Sequence, residues 1–405
     1  MMPRVASVFS ELPRHPSIMI VAGEASGDMH GAKLADALKT MDSRLTLFGI
    51  GGDHMRAAGV RVAVDARQLA VVGLTEVLAK LTGILRGWRA ACRMLAEARP
   101  DLLILIDFPD FNLRLARRAK ELQTKVLYYI SPQIWAWRRQ RVRQIRRRVD
   151  HMAVILPFEA DFYQHHGVNV SFVGHPLMDH DTPSGEDPTG GAPGPQPILG
   201  LLPGSRDSEV GRLLPAMLDA AARLQQRMGV RVMLSCADSV DPHRVARLVA
   251  AYRNFLIMDT VSGGPQRIFR SADLVIAASG TVTLEAALWG TPMLIVYRVS
   301  PLSYLLGKIL IRVPHIGLVN LIAERRVVPE LIQQAATPAR IAAEASSLLT
   351  QPARREKMQA GLARVKQRLG AAGASARVAR IAMQMLGGTA GPPKRSSEGA
   401  PPLCP

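Results

Sequence analysis

Short apolar runs alternate with helix-forming stretches along most of the chain. The first run, residues 18–22, leads into GEASGDMHG and a helical stretch, and the next, LTLFGIGG, ends in glycines before another helix. Strands that alternate with helices in this way indicate α/β units and a mostly parallel sheet. The chain therefore begins as a Rossmann-like domain.

Further strands of this kind complete the first half. Residues 102–106, LLILI, are uniformly apolar, which is typical of a strand buried on both faces of a parallel sheet. Three more strands are predicted within VLYYISPQIWAW, HMAVILPFE and VSFVGHP. Ligands bind at the carboxyl ends of strands in such sheets, so the polar loop DFPDFN after the apolar run is a candidate site.

A second α/β series follows a segment rich in glycine and proline, which is typical of a flexible connector. Its predicted strands are ILGLLPG, RVMLSC, FLIMD, DLVIAAS and PMLIVY. Two Rossmann-like domains facing a cleft are therefore expected. The predicted divisions are an N-terminal extension (1–17), an N-terminal domain (18–184), a linker (185–197), a C-terminal domain (198–386) and a disordered tail (387–405).

Composition restricts the compartment and the partners. Lys and Arg number 51 against 33 acidic residues, a formal charge of +18, which favours anionic partners such as nucleic acid, phospholipid head groups or phosphorylated substrates. The three cysteines lie far apart, so neither a disulfide framework nor a zinc site is predicted. The N-terminus does not resemble a signal peptide, and charges and a proline interrupt the apolar stretch from Leu302 to Ala323. We expect a cytoplasmic protein with no transmembrane helix.

Two segments suggest contact with a membrane, and each also has an ordinary interpretation. Arg138 to Arg148 contains seven arginines and follows two tryptophans. It is either a patch for phospholipid or nucleic acid or the solvated face of a basic helix, and the absence of a nucleic-acid-binding motif favours the membrane. Leu69 to Ala98 is an apolar helix-forming stretch with several basic residues. It fits a helix in a membrane interface or one packed on its own core.

Two turns of the second half are candidates for a nucleotide site. Gly204, Ser205 and Arg206 follow a strand and precede a helix, where backbone N–H groups and an arginine can bind phosphate oxygens. SGTVTLE follows another strand, and its Glu285 can accept hydrogen bonds from a ribose diol. Alternatively, the first is an exposed turn, and Glu285 only complements a helix dipole.

Carboxylates follow two strands of the first half. Asp107 and Asp110 of DFPDFN can each act as a general base in the cleft. Local rules equally allow Asp107 to end the strand and Asp110 to form an Asx-type turn. Glu24, Ser26 and Asp28 line the cleft or cap the first helix. The sequence does not choose between these alternatives.

The motifs together resemble those of lipid-A-disaccharide synthases. VAGEASGD, GIGG, DFPDFN, YYISPQIWAW, LPFE, FVGHP, LLPGSR, ASGTVTLEAAL and HIGLVN occur in the order found in that family, and the resemblance spans residues 18–385. Two features depart from it: Val319 stands where proline is common in the family, and the first fifteen residues and the tail have no counterpart. Neither departure affects a candidate site residue.

The resemblance implies a GT-B fold and an inverting glycosyl transfer without metal or cofactor. The implied donor is UDP-2,3-diacylglucosamine and the acceptor 2,3-diacylglucosamine 1-phosphate, joined β-1,6 with release of UDP by an enzyme peripheral on the inner membrane. A homodimer is compatible with it. Asp107 then resembles the catalytic base, and the residues that resemble a UDP site are Arg206, Gly280, Thr281, Glu285 and Asn320.

Two alternatives remain open. Other GT-B proteins that use UDP-N-acetylglucosamine, such as the peptidoglycan glycosyltransferase or the non-hydrolysing 2-epimerase, share the strand-SGT-helix-Glu arrangement and differ in acyl-chain dependence. A nucleic-acid-binding protein explains the charge and the arginine cluster but not the SGT and DFPDFN loops. We therefore predict no nucleic-acid partner.

Overall fold

The computed structural model describes residues 15–68, 77–179 and 196–387, apart from positions 238, 253, 255, 262 and 312. For residues 68, 77–82, 306 and 309 it describes the backbone only. Most of the predicted N-terminal extension, linker and tail therefore lies outside the described residues.

Parallel strands form an N-terminal sheet. They are β1 (Ser17–Ala22), β2 (Thr46–Gly51), β3 (Arg61–Asp65), β4 (Leu102–Ile106), β5 (Lys125–Tyr129), β6 (His151–Val154) and β7 (Val170–Phe172). Their order across the sheet is β3-β2-β1-β4-β5-β6-β7. The side chains of β1 and β4 are buried throughout, which explains their uninterrupted apolar sequences.

A second parallel sheet repeats this arrangement. Its strands are β8 (Ile198–Leu202), β9 (Arg231–Leu234), β10 (Met258–Thr260), β11 (Leu274–Ala278), β12 (Met293–Tyr297) and β13 (Glu330–Ile332). Their order is β10-β9-β8-β11-β12-β13, so in both sheets the first and fourth strands in chain order are neighbours. This is the strand order of a Rossmann fold, and it confirms the predicted fold class of two Rossmann-like domains.

Helices connect successive strands and cover the sheets. Those of the first half are α1 (Ala25–Met41), α2 (Asp53–Ala57), α3 (Val77–Ala98), α4 (Pro109–Glu121), α5 (Ile134–Trp137), α6 (Val142–Arg148) and α7 (Pro157–His165). Those of the second half are α8 (Asp207–Met228), α9 (Pro242–Ala250), α10 (Gln266–Ser271), α11 (Thr281–Leu288), α12 (Pro301–Leu310), α13 (Leu318–Ala323), α14 (Pro338–Thr350), α15 (Pro352–Arg368) and α16 (Ala374–Met385).

The sequence pattern missed the edge strands β3 and β13. The side chains of β3 are half-buried or exposed, and β13 has only three residues, so neither produces an apolar run. The other predicted strands are confirmed, except that β10 begins at Met258, three residues into the predicted run FLIMD. Edge strands bury less surface than central ones, and their hydrophobic pattern is correspondingly weak.

The last helix, α16, returns to the N-terminal domain. Its Val378, Ala379 and Ala382 are fully buried in the same apolar cluster as β1 and α1. Asp179, at the end of the first half, accepts a hydrogen bond from the N–H of Gly373 at 2.5 Å. The sequence-based division placed this helix with residues 198–386, whereas its contacts lie with the first half.

The segment from Leu69 to Ala98 is described from Val77 onwards, as helix α3. Its last turns carry Met94 and Leu95, which are buried in the core of the N-terminal domain, while Leu85 is exposed. The C-terminal part of this helix therefore packs on its own domain. No helix within the described ranges combines the length and the apolar character that a bilayer crossing requires.

Candidate active site

The predicted motifs lie where the strand order reverses in each sheet. The ends of β1 and β4 are neighbours, and the loops after them contain Glu24 and Asp107. The ends of β8 and β11 are likewise neighbours and lead into Arg206 and Thr281. Ligands of open parallel sheets bind in the crevice at such points. The strand order of the two sheets therefore places Glu24 and Asp107 at one crevice and Arg206 and Thr281 at another.

Asp107 and Phe108 turn the chain sharply after β4. Their φ angles are +46° and +49°, in the left-handed region that non-glycine residues rarely adopt. The N–H of Asp107 donates to Tyr129 O at 3.1 Å. Its carbonyl accepts from the Tyr128 hydroxyl at 2.6 Å and from Asn112 Nδ2 at 2.7 Å. These bonds hold the residue in a strained conformation, which is a feature of functional sites.

Gly23 leaves room for this turn. A Cβ at Gly23 would lie 2.3 Å from the ring of Phe108, so a larger residue cannot occupy this position without displacing that ring. Gly23, Tyr128 and Asn112 were missed as contributors by the sequence reasoning. A glycine directly after the first strand was the available signal.

The carboxyl group of Asp107 belongs to the interdomain cleft. It lines a cavity of about 900 Å³ that Thr281 and Glu285 of the C-terminal domain also line. Burial raises the pKa of Asp107 to about 6, and the negative charge of Glu24 adds to this to a smaller extent. A hydrogen bond from the Phe108 N–H lowers the pKa of Asp107 but does not offset these two effects. A carboxyl group of this pKa is ionised at neutral pH and is a stronger base than an ordinary aspartate.

A second cavity, of about 490 Å³, lies between the two turns of the C-terminal domain. The turn at Gly204 to Arg206 and the turn at Ser279 to Thr281 both line it, together with Glu285. Thr281 and Glu285 also line the larger cleft cavity, so the two cavities adjoin. Burial raises the pKa of Glu285. The structure thus brings Arg206, Gly280, Thr281 and Glu285 together beside the cleft.

Glu209, at the start of α8, holds the turn that carries Arg206. Its Oε2 accepts from the N–H of Ser205 at 3.1 Å, and its Oε1 accepts from Arg206 Nη1 at 2.8 Å. Gly204 has φ +120°, and a Cβ there would lie 2.5 Å from Glu209 Oε2. The Arg206 side chain remains 76% exposed, so its guanidinium is accessible to a ligand in the cavity.

The polar residues after β1 have different environments. Ser26 lines the cleft cavity, and Glu24 is exposed at the start of α1. Asp28 is buried and accepts the N–H groups of Gly52 and Met55 at 2.5 and 3.1 Å. Asp28 therefore anchors the GIGG loop at the start of α2, where free N–H groups need acceptors.

Asp110 is separated from the cleft. Its side chain is 68% exposed and pairs with Arg141 at 2.5 Å and with Arg138 at 3.7 Å. It lies on the first turn of α4, where a carboxylate complements the helix dipole. Of the two carboxylates of DFPDFN, only Asp107 lines the cavity.

Asn320 is fully buried on α13, and its amide is engaged by the protein itself. Its Nδ2 donates to Val328 O and Glu330 Oε1 at 2.8 and 2.7 Å. Its Oδ1 accepts the N–H groups of Val327 and Val328 at 2.7 and 2.9 Å. Glu330 in turn accepts the N–H of Gly317 at 3.0 Å. Asn320, the last residue of HIGLVN, therefore joins this loop to residues 327–330, and it lines neither cavity.

We expect Asn320→Ala to lower the free energy of unfolding by about 2–4 kcal/mol, because buried groups lose their hydrogen-bond partner. Denaturant unfolding followed by circular dichroism measures this. Asn169→Ala is a matched control, since its exposed amide donates to Asp150 O at 3.2 Å. Equal stability of the two variants would contradict a supporting role.

Two further cleft residues come from motifs that the sequence reasoning quoted without giving them a role. Glu159 of LPFE is buried, accepts from Trp135 Nε1 at 3.0 Å, and has its pKa raised to about 7 by burial. His175 of FVGHP has its pKa lowered to about 4, mainly by burial, and its Nδ1 accepts the N–H of Leu177 at 3.1 Å. Both side chains line the cleft cavity.

A sequence model described as lipid-A-disaccharide synthetase matches residues 18–383. The chain belongs to this family. Lipid-A-disaccharide synthase from Geobacter metallireducens is 50% identical over 381 residues, covering 91% of this chain and 97% of that protein. This confirms the family resemblance drawn from the motifs, and the chain is an enzyme that synthesises the disaccharide of lipid A.

Solved structures confirm the GT-B fold. A putative UDP-N-acetylglucosamine 2-epimerase from Listeria monocytogenes has a TM-score of 0.60 at 12% identity, covering 91% of this chain and 96% of that one. The calicheamicin glycosyltransferase CalG4 has a TM-score of 0.59 at 16% identity, covering 94% and 100%. At this level of identity the similarity concerns the fold, and lipid-A-disaccharide synthases share it with other glycosyltransferases and epimerases.

Proposed function

We propose that this lipid-A-disaccharide synthase transfers 2,3-diacylglucosamine from its UDP carrier to the 6-hydroxyl of 2,3-diacylglucosamine 1-phosphate. The products are the β-1,6-linked disaccharide 1-phosphate and UDP, with inversion at the donor anomeric carbon. The observation that supports this most is the adjoining pair of cavities. One is lined by two turns that can bind anions and the other by the half-buried carboxylate of Asp107, as a transfer between a nucleotide sugar and a hydroxyl requires.

The smaller cavity is proposed to hold UDP. The Arg206 guanidinium and the N–H groups at the start of α11 bind the diphosphate, and Gly280, whose Cβ position is open, lets it approach the backbone. Glu285 accepts hydrogen bonds from the ribose hydroxyls. Asn320 contributes indirectly, because its amide joins the end of HIGLVN to Val328 and Glu330. The Ser279 hydroxyl donates to Ile316 O of the same loop at 3.1 Å.

Asp107 is proposed to be the general base. Its carboxylate takes the proton of the acceptor 6-hydroxyl while that oxygen attacks the donor anomeric carbon, and the bond to the diphosphate breaks. Attack from the face opposite the leaving group inverts the anomeric carbon. Arg206 and the amino-terminal end of α11 stabilise the charge on the departing UDP. Glu24, Ser26 and Asp28 shape the acceptor side, with Asp28 acting through the GIGG loop.

The enzyme is further proposed to act on the cytoplasmic face of the inner membrane, bound reversibly to anionic lipids. Both sugar substrates carry acyl chains that reside in a bilayer. The apolar segment that begins at Leu69, whose last turns pack on the N-terminal domain, and the basic segment from Arg138 to Arg148 favour such contact. The N-terminal domain is accordingly the acceptor and membrane side, and the C-terminal domain binds the nucleotide.

Acyl-chain dependence tests this assignment against other enzymes of the same fold. We expect turnover with UDP-2,3-diacylglucosamine and none with UDP-N-acetylglucosamine, measured as release of UDP in the presence of the acylated acceptor. Epimerisation of UDP-N-acetylglucosamine, or its use as a donor at the same rate, would contradict the proposal and favour the alternative GT-B activities.

A further inference from the structure

Helix α12 exposes apolar side chains to solvent. Leu302, Leu305 and Leu310 are 68%, 58% and 49% exposed, and Ile311, directly after the helix, is 47% exposed. Leu302 and Leu305 are one turn apart and share a face of the helix. The Ser300 hydroxyl caps the helix by accepting the Ser303 N–H at 3.2 Å. Several large apolar side chains exposed on one helix are typical of an interaction surface.

The end of this helix lies beside residues 136–141 of the N-terminal domain, which follow Trp135 and include Trp137. A cavity of about 480 Å³ is lined by residues 136–141 on one side and by Leu310 on the other. Trp137 is 45% exposed, and the guanidinium of Arg138 stacks 3.9 Å from the centre of its ring. Trp137 also lines the catalytic cleft. The apolar residues of both domains thus meet at the mouth of the cleft.

A basic depression continues this surface. It has a volume of about 530 Å³ and shares Arg139 and Gln140 with the cavity beside Leu310. Arg143, Arg146 and the exposed His165 and His166 line the rest of it. Among the described residues, no acidic side chain lines either depression. A row of cationic groups beside exposed leucines and a tryptophan is complementary to the head groups and outer acyl region of an anionic bilayer.

We propose that one docking surface for an anionic lipid bilayer spans both domains at the cleft mouth. This cleft-mouth surface consists of Leu302, Leu305, Leu310, Ile311, Trp137, Arg139, Arg143 and Arg146. The leucines of α12 and Trp137 enter the interface, and the arginines contact lipid phosphates. The inference rests on the proposed membrane-bound function and adds that the nucleotide-binding domain itself contacts the bilayer.

The surface has a consequence for substrate entry. Because Trp137 belongs both to it and to the cleft, docking turns the cleft mouth towards the bilayer. An acylated sugar can then move from the lipid into the cleft without full exposure of its chains to water. Keeping the methylene groups of two acyl chains out of water favours this path over passage through solvent.

The test is sedimentation of the full-length enzyme with vesicles of phosphatidylglycerol and phosphatidylethanolamine at low salt. We expect Leu302→Ser with Leu305→Ser to weaken binding more than about tenfold. Arg139→Gln, Arg143→Gln and Arg146→Gln together should weaken it by roughly 100-fold and remove most of its salt dependence. Matched controls are Ile257→Ser, a residue 52% exposed elsewhere on the C-terminal domain, and the exposed triple Arg223→Gln, Arg227→Gln and Arg247→Gln.

Turnover in detergent micelles separates this inference from the proposed function. Both cleft-mouth variants should keep wild-type turnover with micellar substrates and lose it with substrates embedded in vesicles. Vesicle binding of the leucine variant equal to that of wild type overturns the inference, as does wild-type protein that ignores the vesicles. A leucine variant that changes from dimer to monomer in analytical ultracentrifugation, with unchanged vesicle binding, would instead make α12 a contact between copies. Absence of wild-type turnover in micelles refutes the proposed function itself.

Discussion

We expect Asp107→Asn to lower turnover about 10²- to 10⁴-fold while leaving the fold intact, because the loss of a positioned general base has a cost of this size. Asparagine keeps the shape of the side chain, and the hydrogen bonds that hold this residue are made by its backbone N–H and carbonyl. Steady-state release of UDP and circular dichroism measure the two properties. Asp110→Asn is the matched control, since its exposed carboxylate pairs with Arg141, and it should keep turnover near the wild-type rate.

The pH dependence provides a second readout of the same residue. The pKa of Asp107 is raised to about 6, so kcat/KM should fall as pH decreases through about 6, where the base becomes protonated. Glu24→Gln removes a negative charge that raises this pKa, and the acid limb should therefore move to lower pH. Folded Asp107→Asn enzyme with wild-type turnover contradicts the assignment. Loss of turnover in Asp110→Asn alone would transfer the role to Asp110.

The second large effect concerns the nucleotide. Arg206→Ala and Glu285→Gln should each weaken UDP binding about 10- to 100-fold, because hydrogen bonds to charged groups contribute about 1.5–3 kcal/mol. Both side chains line the cavity between the two turns of the C-terminal domain. Isothermal titration calorimetry measures the affinity. Arg212→Ala, on the exposed face of α8, removes the same charge outside the cavity lining and should leave UDP affinity unchanged.

Uridine distinguishes the two contacts. It has the ribose but no diphosphate, so Arg206→Ala should leave its affinity unchanged, whereas Glu285→Gln should weaken it as much as it weakens UDP. Unchanged UDP affinity in both variants would place the nucleotide elsewhere. Equal losses for uridine in both would contradict the separate assignment of diphosphate and ribose.

The sequence predicted the central strands and the turns at their ends because these depend on local features. Uniform apolar runs define β1 and β4, and glycines and polar residues mark the loops after them. Once two Rossmann-like series are recognised, the topology places Asp107 and Arg206 at crevices. The fold class and the position of these residues at the crevices could thus be predicted.

The remaining features depend on contacts between distant residues. Asp107 and Asp110 are three positions apart, and the left-handed turn together with the ion pair to Arg141 separates them. Asn320 lies at a motif position compatible with ligand binding, yet its amide makes hydrogen bonds to residues 327–330 instead. Nothing local in residues 374–385 indicates that this helix returns to the N-terminal domain.

Product analysis of the purified enzyme tests the central claim most directly. The protein is incubated with UDP-2,3-diacylglucosamine and 2,3-diacylglucosamine 1-phosphate in detergent micelles, and mass spectrometry and NMR identify the products. The account predicts stoichiometric UDP and a β-1,6-linked tetraacyl disaccharide 1-phosphate, formed by wild type and barely by Asp107→Asn. UDP released without disaccharide, or a disaccharide with the α configuration, would contradict it.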